Sequence, residues 1–404
     1  MAAYEYTALD ARGKSAKGLI EGDTPRQVRQ LLRERGLTPL AIREVADQPA
    51  HKHGLSLGGN GLSTTELTLF TRQLATLARA GMPLDESLTA IAQQAESRRV
   101  QRVTLGVRAS VTEGNTLAQA MNQFPGAFPP LFRATVEAGE QAGKLDHVLE
   151  RLADYVERRQ AMKSKILLAS FYPVILTVVA ISVVTLLMTY VVPKVVQVFD
   201  SIHATLPPIT RGLIAFSAFL REDGIFVVAA LVVGFFLFRR ALRQDAFRRS
   251  FHSWVLHVPI VGRVTRGANT ARFMRTLGIL FGSGVPILDA LRIGLQVISN
   301  LPMREAVERA ATQVREGAGI AKSLTASKLF PPITMHLIAA GEASGKLDEM
   351  LDRAAENQER ELETTIGALM AVFEPVLILA MGGIVLVIVL AILLPIFDLN
   401  DLIK

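Results

Sequence analysis

Three carboxylates offer the clearest opening for chemistry in this chain. Glu150 and Asp154 are four residues apart, so on a helix they share one face. Glu96 closes an earlier apolar-periodic segment and is placed to approach them. Carboxylates gathered in this way suit a hard cation such as calcium, which takes oxygen ligands. The competing reading is a solvated helix face on which Arg151 and Arg158 neutralise the pair. Asp352 and Glu356 repeat the i, i+4 spacing further on, but Ser299 stands where Glu96 would be, so a second such site is the weaker one.

Other chemistries fail on residue type or spacing. The segments GEQAGKL (139–145) and GEASGKL (341–347) suggest a phosphate-binding loop, whose pattern is G-x-x-x-x-G-K-S/T. Here the first position is Ala138 or Ala340, and Leu145 or Leu347 follows the lysine, where a magnesium-binding hydroxyl is needed. The simpler reading is a helix–turn–helix in which glycine ends one helix and Asp146 or Asp348 starts the next. With no cysteine in the sequence, disulfides, thiolate metal sites and a thiol nucleophile are excluded. His51, His53, His147, His203, His252, His257 and His336 form no zinc-binding spacing, and His51 and His53 read as solvated linker residues.

The elements that must hold these residues are partly membranous. The 404 residues are 50% hydrophobic, with a mean hydropathy of +0.32. From Ile166 to Pro193 and from Pro375 to Phe397 there is no charge, and each run is long enough to cross a bilayer as a helix. A shorter run, Gly224 to Phe238, reads as a further span, with Arg239 and Arg240 able to snorkel, although a buried core helix is the alternative. No apolar leader precedes these runs in YEYTALDARGK, so the N-terminal part is expected to remain in the cytosol. Arginines and lysines crowd residues 151–165 and 239–249, whereas in 194–223 three basic residues balance three acidic ones. The positive-inside rule then places both basic flanks in the cytosol, the 194–223 loop outside, and the C-terminal tail on the far side. The net charge of +7 (44 basic against 37 acidic residues) fits a membrane surface. The Arg-rich stretch 239–249 abuts a span, so anionic lipid is a simpler partner for it than nucleic acid. Aromatics at 6% give little material for base stacking.

An internal repeat organises the chain. FTRQLATLARAGMPLDESL (70–88) matches FMRTLGILFGSGVPILDAL (273–291), and VEAGEQAGKLD (136–146) matches IAAGEASGKLD (338–348). Phe-Pro-Pro recurs at 128–130 and 330–332, and Pro173 and Pro193 correspond to Pro375 and Pro395. Within each copy the apolar residues fall at helical spacing, as at Leu67, Phe70, Leu74 and Leu77, then at Leu84, Leu88, Ile91 and Ala95. The pattern predicts six helices per copy, the last running from about Asp146 directly into a span. The first residues differ: two short strands, a helix beginning at Asp23-Thr24-Pro25 and a third strand over 38–43 make a small α+β module.

The expected fold is therefore a mainly α membrane protein with two duplicated six-helix cytosolic bundles, three transmembrane helices and a small α+β N-terminal module. Its divisions are the module (1–46), a flexible linker (47–62) and the first helical repeat (63–165). The first span (166–193), the external loop (194–223) and the second span (224–238) follow. A basic flank with the second helical repeat (239–373), the third span (374–397) and the tail (398–404) complete the chain.

The doubled A-G-E-x-x-G-K-L-D, each copy followed by a span entered near proline, resembles the inner-membrane platform proteins of type II secretion, the general secretion pathway protein F family. The platform proteins of type IV pilus assembly are its relatives. The resemblance covers nearly the whole chain, and the stretch YEYTALDARGKSAKGLIE favours the secretion branch. It implies a non-enzymatic protein of the bacterial inner membrane. The implied partners are a cytosolic secretion ATPase, bitopic inner-membrane secretion proteins, pseudopilins and further copies of itself. No cofactor is required. Calcium is implied at an interface between copies, and Glu96, Glu150 and Asp154 are the matching positions, with the second copy departing at Ser299. A rival reading is a pore-forming transporter subunit, in which Ser170, Thr177, Ser182, Thr185 and Thr189 line a path. Against it, the spans carry no Asp, His, Lys or Arg. A membrane enzyme lacks candidate residues.

Overall fold

A computed structural model describes residues 2–9, 15–22, 24–44, 61–191 and 208–402. The expected linker, with His51 and His53, lies outside the described residues except for its last positions, as does much of the 194–223 loop with His203.

The N-terminal module is a three-stranded antiparallel sheet with one helix. Strand β1 (Ala2–Leu9) lies between β2 (Ser15–Gly22) and β3 (Thr38–Glu44). Helix α1 (Pro25–Glu34) starts where Thr24 accepts a hydrogen bond from the Gln27 amide at 3.3 Å and Pro25 occupies the first turn. Tyr4 and Ile20 from the sheet pack with Val28 and Leu32 from the helix, which are four residues apart and therefore on one face.

Each sequence repeat forms six helices. In the first they are α2 (Thr64–Arg79), α3 (Leu84–Gln94), α4 (Arg98–Thr112), α5 (Leu117–Asn122), α6 (Pro130–Gln141) and α7 (Leu145–Leu186). Leu67, Phe70 and Leu74 of α2 and Leu88 and Ile91 of α3 are buried, as their spacing predicts. A capping box between Ser63 and Glu66 starts α2, and Gly81 ends it in the left-handed conformation, φ +79°.

Between the repeats come α8 (Pro208–Glu222), α9 (Gly224–Ala241) and α10 (Asp245–His257). The second repeat is α11 (Pro259–Gly282), α12 (Ile287–Val297), α13 (Leu301–Arg315), α14 (Ile320–Thr325), α15 (Pro332–Ser344) and α16 (Leu347–Leu402).

The residues group into two compact units: 1–162 with 266–359, and 163–265 with 360–404. The first unit holds the module and the bundle portions of both repeats. The second holds the apolar segments. Among the described residues two helices are long and apolar enough to cross a membrane, Leu145–Leu186 and Leu347–Ala391, and the apolar stretch in each is almost wholly exposed. Three spans are expected from the sequence; two helices have the length and composition of a span, and residues 224–238 lie in a third helix, α9, that is not one of those two. Pro173 lies inside α7 without interrupting it; its ring removes the amide that would bond the Ala169 carbonyl, and the Thr177 hydroxyl donates to the carbonyl of Pro173 itself (2.7 Å).

Candidate functional site: a duplicated arginine–carboxylate seam

The repeated motif A-G-E-x-x-G-K-L-D acts through its backbone neighbours. In the first copy Glu140 ends α6 and accepts from the amides of Leu117 (2.6 Å) and Ala118 (3.0 Å), the first turn of α5. In the second, Glu342 accepts from Ile320 (2.5 Å) and Ala321 (3.1 Å) at the start of α14. The first amides of a helix have no partner within it, and the helix dipole favours negative charge there. Each glutamate supplies both. The preceding glycines allow the last two helices of a copy to approach. A Cβ at Gly139 would lie 2.8 Å from Val148, and one at Gly341 would lie 2.9 Å from Met350. Gly143 and Gly345 then take positive φ, +67° and +71°, to turn the chain. Asp146 and Asp348 fall in the first turn of the long helices rather than ahead of them. The glutamate and the glycines of the motif thus hold helices together, and the anion position at each short helix is filled by the protein's own carboxylate.

The second repeated feature is an ion pair. Arg72 on α2 grips Glu157 on α7 with two parallel hydrogen bonds, each 2.6 Å, and reaches Asp154 at 2.5 Å. Arg275 occupies the same place on α11. It grips Glu359 at 3.2 and 2.8 Å and reaches Asp352 at 3.2 Å. Two-point pairing of a planar guanidinium with a carboxylate fixes orientation as well as charge. The bonds to Glu157 and then Asp154 raise the Arg72 guanidinium above its ordinary value. Arg72 in turn holds the Glu157 carboxyl below its own, against burial and the nearby Asp154 charge. For Arg275, burial opposes the charge, but Glu359 and Asp352 outweigh it and the net direction is up.

The three carboxylates proposed for calcium are drawn elsewhere. Asp154 is taken by Arg72, Glu150 forms an ion pair with Arg79, and Glu96 is an exposed residue between α3 and α4. Among the described residues no three His, Asp or Glu side chains are close enough to share a metal ion. Two of the three carboxylates would have to leave an arginine to meet a cation, so this arrangement lends the calcium expectation no support. The alternative was also incomplete. Arg151 and Arg158 do not neutralise Glu150 and Asp154 but cross to the second repeat, meeting Asp352 (3.0 Å) and Glu356 (3.5 Å). Further along the same two helices Lys165 meets Glu363 at 3.0 Å.

The seam between the repeats is not symmetric. Arg79 corresponds to Gly282, and Ala75 to Gly278. A Cβ at Gly282 would collide with the Arg151 guanidinium, and one at Gly278 would lie 2.9 Å from Asp352. The two missing side chains open the slot through which Arg151 reaches Asp352. The counterpart of Arg151, Arg353, pairs instead with Glu349 on its own helix, at 2.6 Å. Sequence reasoning saw Phe-x-Arg in both copies but not the partner of the arginine. The available signal was Glu157 and Glu359, a glutamate kept at the repeat offset in both long helices.

Comparison with known proteins agrees with the duplicated architecture. Residues 70–193 and 273–395 each match the family described as type II secretion system protein F, and residues 1–43 match the N-terminal domain of that protein. The chain is 51% identical to the type II secretion system protein F of Pseudomonas aeruginosa, with both chains covered in full. It is 45% identical to the protein of the same name from Vibrio cholerae, covering 100% of this chain and 99% of that one. It is 33% identical to the type IV pilus assembly protein PilC of Myxococcus xanthus, covering 100% of this chain and 96% of that one.

Proposed function

The chain belongs to the type II secretion system protein F family, and from that premise we propose that it is the inner-membrane platform on which a cytosolic secretion ATPase drives pseudopilus assembly. The helical repeats and the N-terminal module face the cytosol, three helices cross the membrane, and the C-terminus is periplasmic. Bitopic secretion proteins, pseudopilins and further copies of the chain are its partners. In this reading the mechanical work comes from the partner ATPase, and the chain transmits it.

The observation that carries this reading is the continuity of α7 and α16, which run from a helical bundle into an apolar stretch without a break. A long helix transmits rotation or tilt along its axis far better than a loop does. A force applied to the bundle would therefore reach the bilayer.

Deletion of the gene in its source bacterium tests the assignment. Exoproteins are expected to accumulate in the periplasm while surface pili persist. Loss of pili with normal secretion would move the chain to the type IV pilus branch, and no change in either would remove the platform reading. Complementation tests the mechanism. Met162→Pro removes a helix hydrogen bond and clashes with the preceding turn between bundle and span. It is expected to restore membrane insertion but not secretion. Full secretion by this variant would show that helix continuity is dispensable.

A further inference from the structure

The segment after α9 carries an unusual surface. Phe247, Phe251 and Trp254 follow i, i+4, i+7 spacing on α10 and form one face, with Leu256 buried on the opposite side. Trp254, the only tryptophan of the chain, is 62% exposed, and Phe247 is exposed as well. This face is tied to the end of α9. Phe238, in the last turn of α9, meets Phe251 edge-on at 5.3 Å and Phe247 at 6.1 Å, and Phe251 stacks on Trp254 at 6.0 Å. Arg239, Arg240 and Arg243 surround the joint and are exposed. Arg248 lies beside the aromatic face, 3.9 Å from Asp245.

We infer that α10 is an interfacial anchor, lying along the cytosolic surface of the bilayer with its aromatic face among the acyl chain ends and its flanking arginines against anionic phospholipid headgroups. This rests on the reading of α9 as a span. Two observations select lipid as the occupant. The first is charge: basic residues ring an apolar aromatic face, the combination that binds anionic membrane surfaces. The second is continuity: α10 follows the apolar helix α9 after only three residues (242–244), and Phe238 fixes its aromatic face at the level where α9 ends. Tryptophan is enriched at that depth because its ring is apolar while its N–H needs a polar partner.

The lone tryptophan makes the test direct. The full-length protein is reconstituted into vesicles containing phosphatidylglycerol, and Trp254 emission is read with lipids brominated near the headgroup end of the acyl chain and with aqueous iodide. The expected result is loss of emission with the brominated lipid and little loss with iodide. In phosphatidylcholine alone the brominated lipid should quench less, and replacing Arg239, Arg240 and Arg243 by Gln should reduce the difference between the two compositions. Equal quenching in both vesicle types would overturn the role of anionic headgroups. Quenching by iodide alone would overturn the anchor, and protection from both quenchers would overturn it in favour of a protein contact. A second variant, Trp254→Phe with Leu231→Trp, reports on α9. If Trp254 resists brominated lipid while this second probe is quenched by deeply brominated lipid, the anchor fails and the span stands. If neither is quenched, the reading of α9 fails as well.

Discussion

The first and second repeats hold the same two devices but give them different surroundings. In both, an arginine of the opening helix grips a glutamate of the closing helix, and a glutamate of the fifth helix holds the start of the fourth. In the first repeat the arginine is 31% exposed, Glu150 has its own partner in Arg79, and Thr116 shares the capping of α5 with Glu140. In the second the arginine is 8% exposed, Gly282 replaces Arg79, and Gly319 offers no side chain at the start of α14. The second repeat is more dependent on each single contact, and it takes a cation from the first to complete its seam. With glycine at 278 and 282 where the first repeat has Ala75 and Arg79, the second repeat leaves room for a side chain of the first, and Arg151 fills it.

That contrast is most exposed to test at the buried arginine. Arg275→Ala removes the cation facing Glu359 and Asp352. Stranding a buried charge costs about 3–5 kcal/mol, and because both carboxylates remain about a third exposed the expected loss is nearer ~2–4 kcal/mol. Arg72→Ala, at a more solvated position, should cost about 1 kcal/mol or less. Thermal unfolding of both variants in detergent measures the difference. Equal losses would show that the two repeats are energetically alike despite their unequal burial.

The capping glutamates come next. Glu342→Gln leaves one neutral oxygen for the amides of Ile320 and Ala321, which each use a separate carboxylate oxygen, and sets an NH2 group against the other amide, with no other side-chain cap at that helix start. Loss of a helix cap costs roughly 0.5–2 kcal/mol, and the upper half of that range is expected here. Glu140→Gln should fall in the lower half, since Thr116 still accepts from the Gln119 amide. Hydrogen exchange at the amides of α5 and α14 separates the two.

These devices were unequally visible in the sequence. Apolar periodicity located the helices of both repeats because burial of Leu67, Phe70, Leu74 and their counterparts is a local, periodic demand. Thr24-Pro25 marked the start of α1 for the same reason: its partners are within three residues. The glutamate of A-G-E was visible as a repeated letter, but its partners are more than twenty residues away, so its role could not be read from spacing. Glu150 and Asp154 share one helix face, as their spacing requires, but their partners are not their neighbours in sequence. A one-dimensional reading pairs them with Arg151 and Arg158, their neighbours in sequence. Packing instead brings Arg72 and Arg79 of α2 against them and sends Arg151 and Arg158 across to Asp352 and Glu356.

The slot at Gly282 offers a smaller, sharper probe of the same asymmetry. Gly282→Ala puts a methyl group where the Arg151 guanidinium passes, and a flexible arginine will move rather than break the helix packing. The consequence is loss of the Arg151–Asp352 pair. A double-mutant cycle with Arg151→Gln and Asp352→Asn should give a coupling energy of about 0.5–1 kcal/mol for this partly exposed pair, falling to near zero in the Gly282→Ala background. Coupling that survives the added methyl would mean that the glycine slot does not determine the crossing.

The smallest effect expected concerns acid. Arg72 holds the Glu157 carboxyl below its ordinary value of 4.5 by direct hydrogen bonding, with burial opposing. A carboxyl whose folded value is depressed contributes stability at pH above its unfolded value, and this is lost as pH falls through the folded one. The first repeat should therefore lose stability below about pH 4.5, and Glu157→Gln should remove part of that dependence while lowering stability at neutral pH. Glu157 is substantially solvated, and water and salt screen its attraction to Arg72, so the change should be slight and should shrink further at high ionic strength. Unfolding temperatures measured at pH 7 and pH 4 for the parent and for Glu157→Gln provide the check. An acid-induced loss that is identical in the two would assign it to carboxyls other than Glu157, and the arginine grip in the first repeat would then fix geometry without contributing to the pH response.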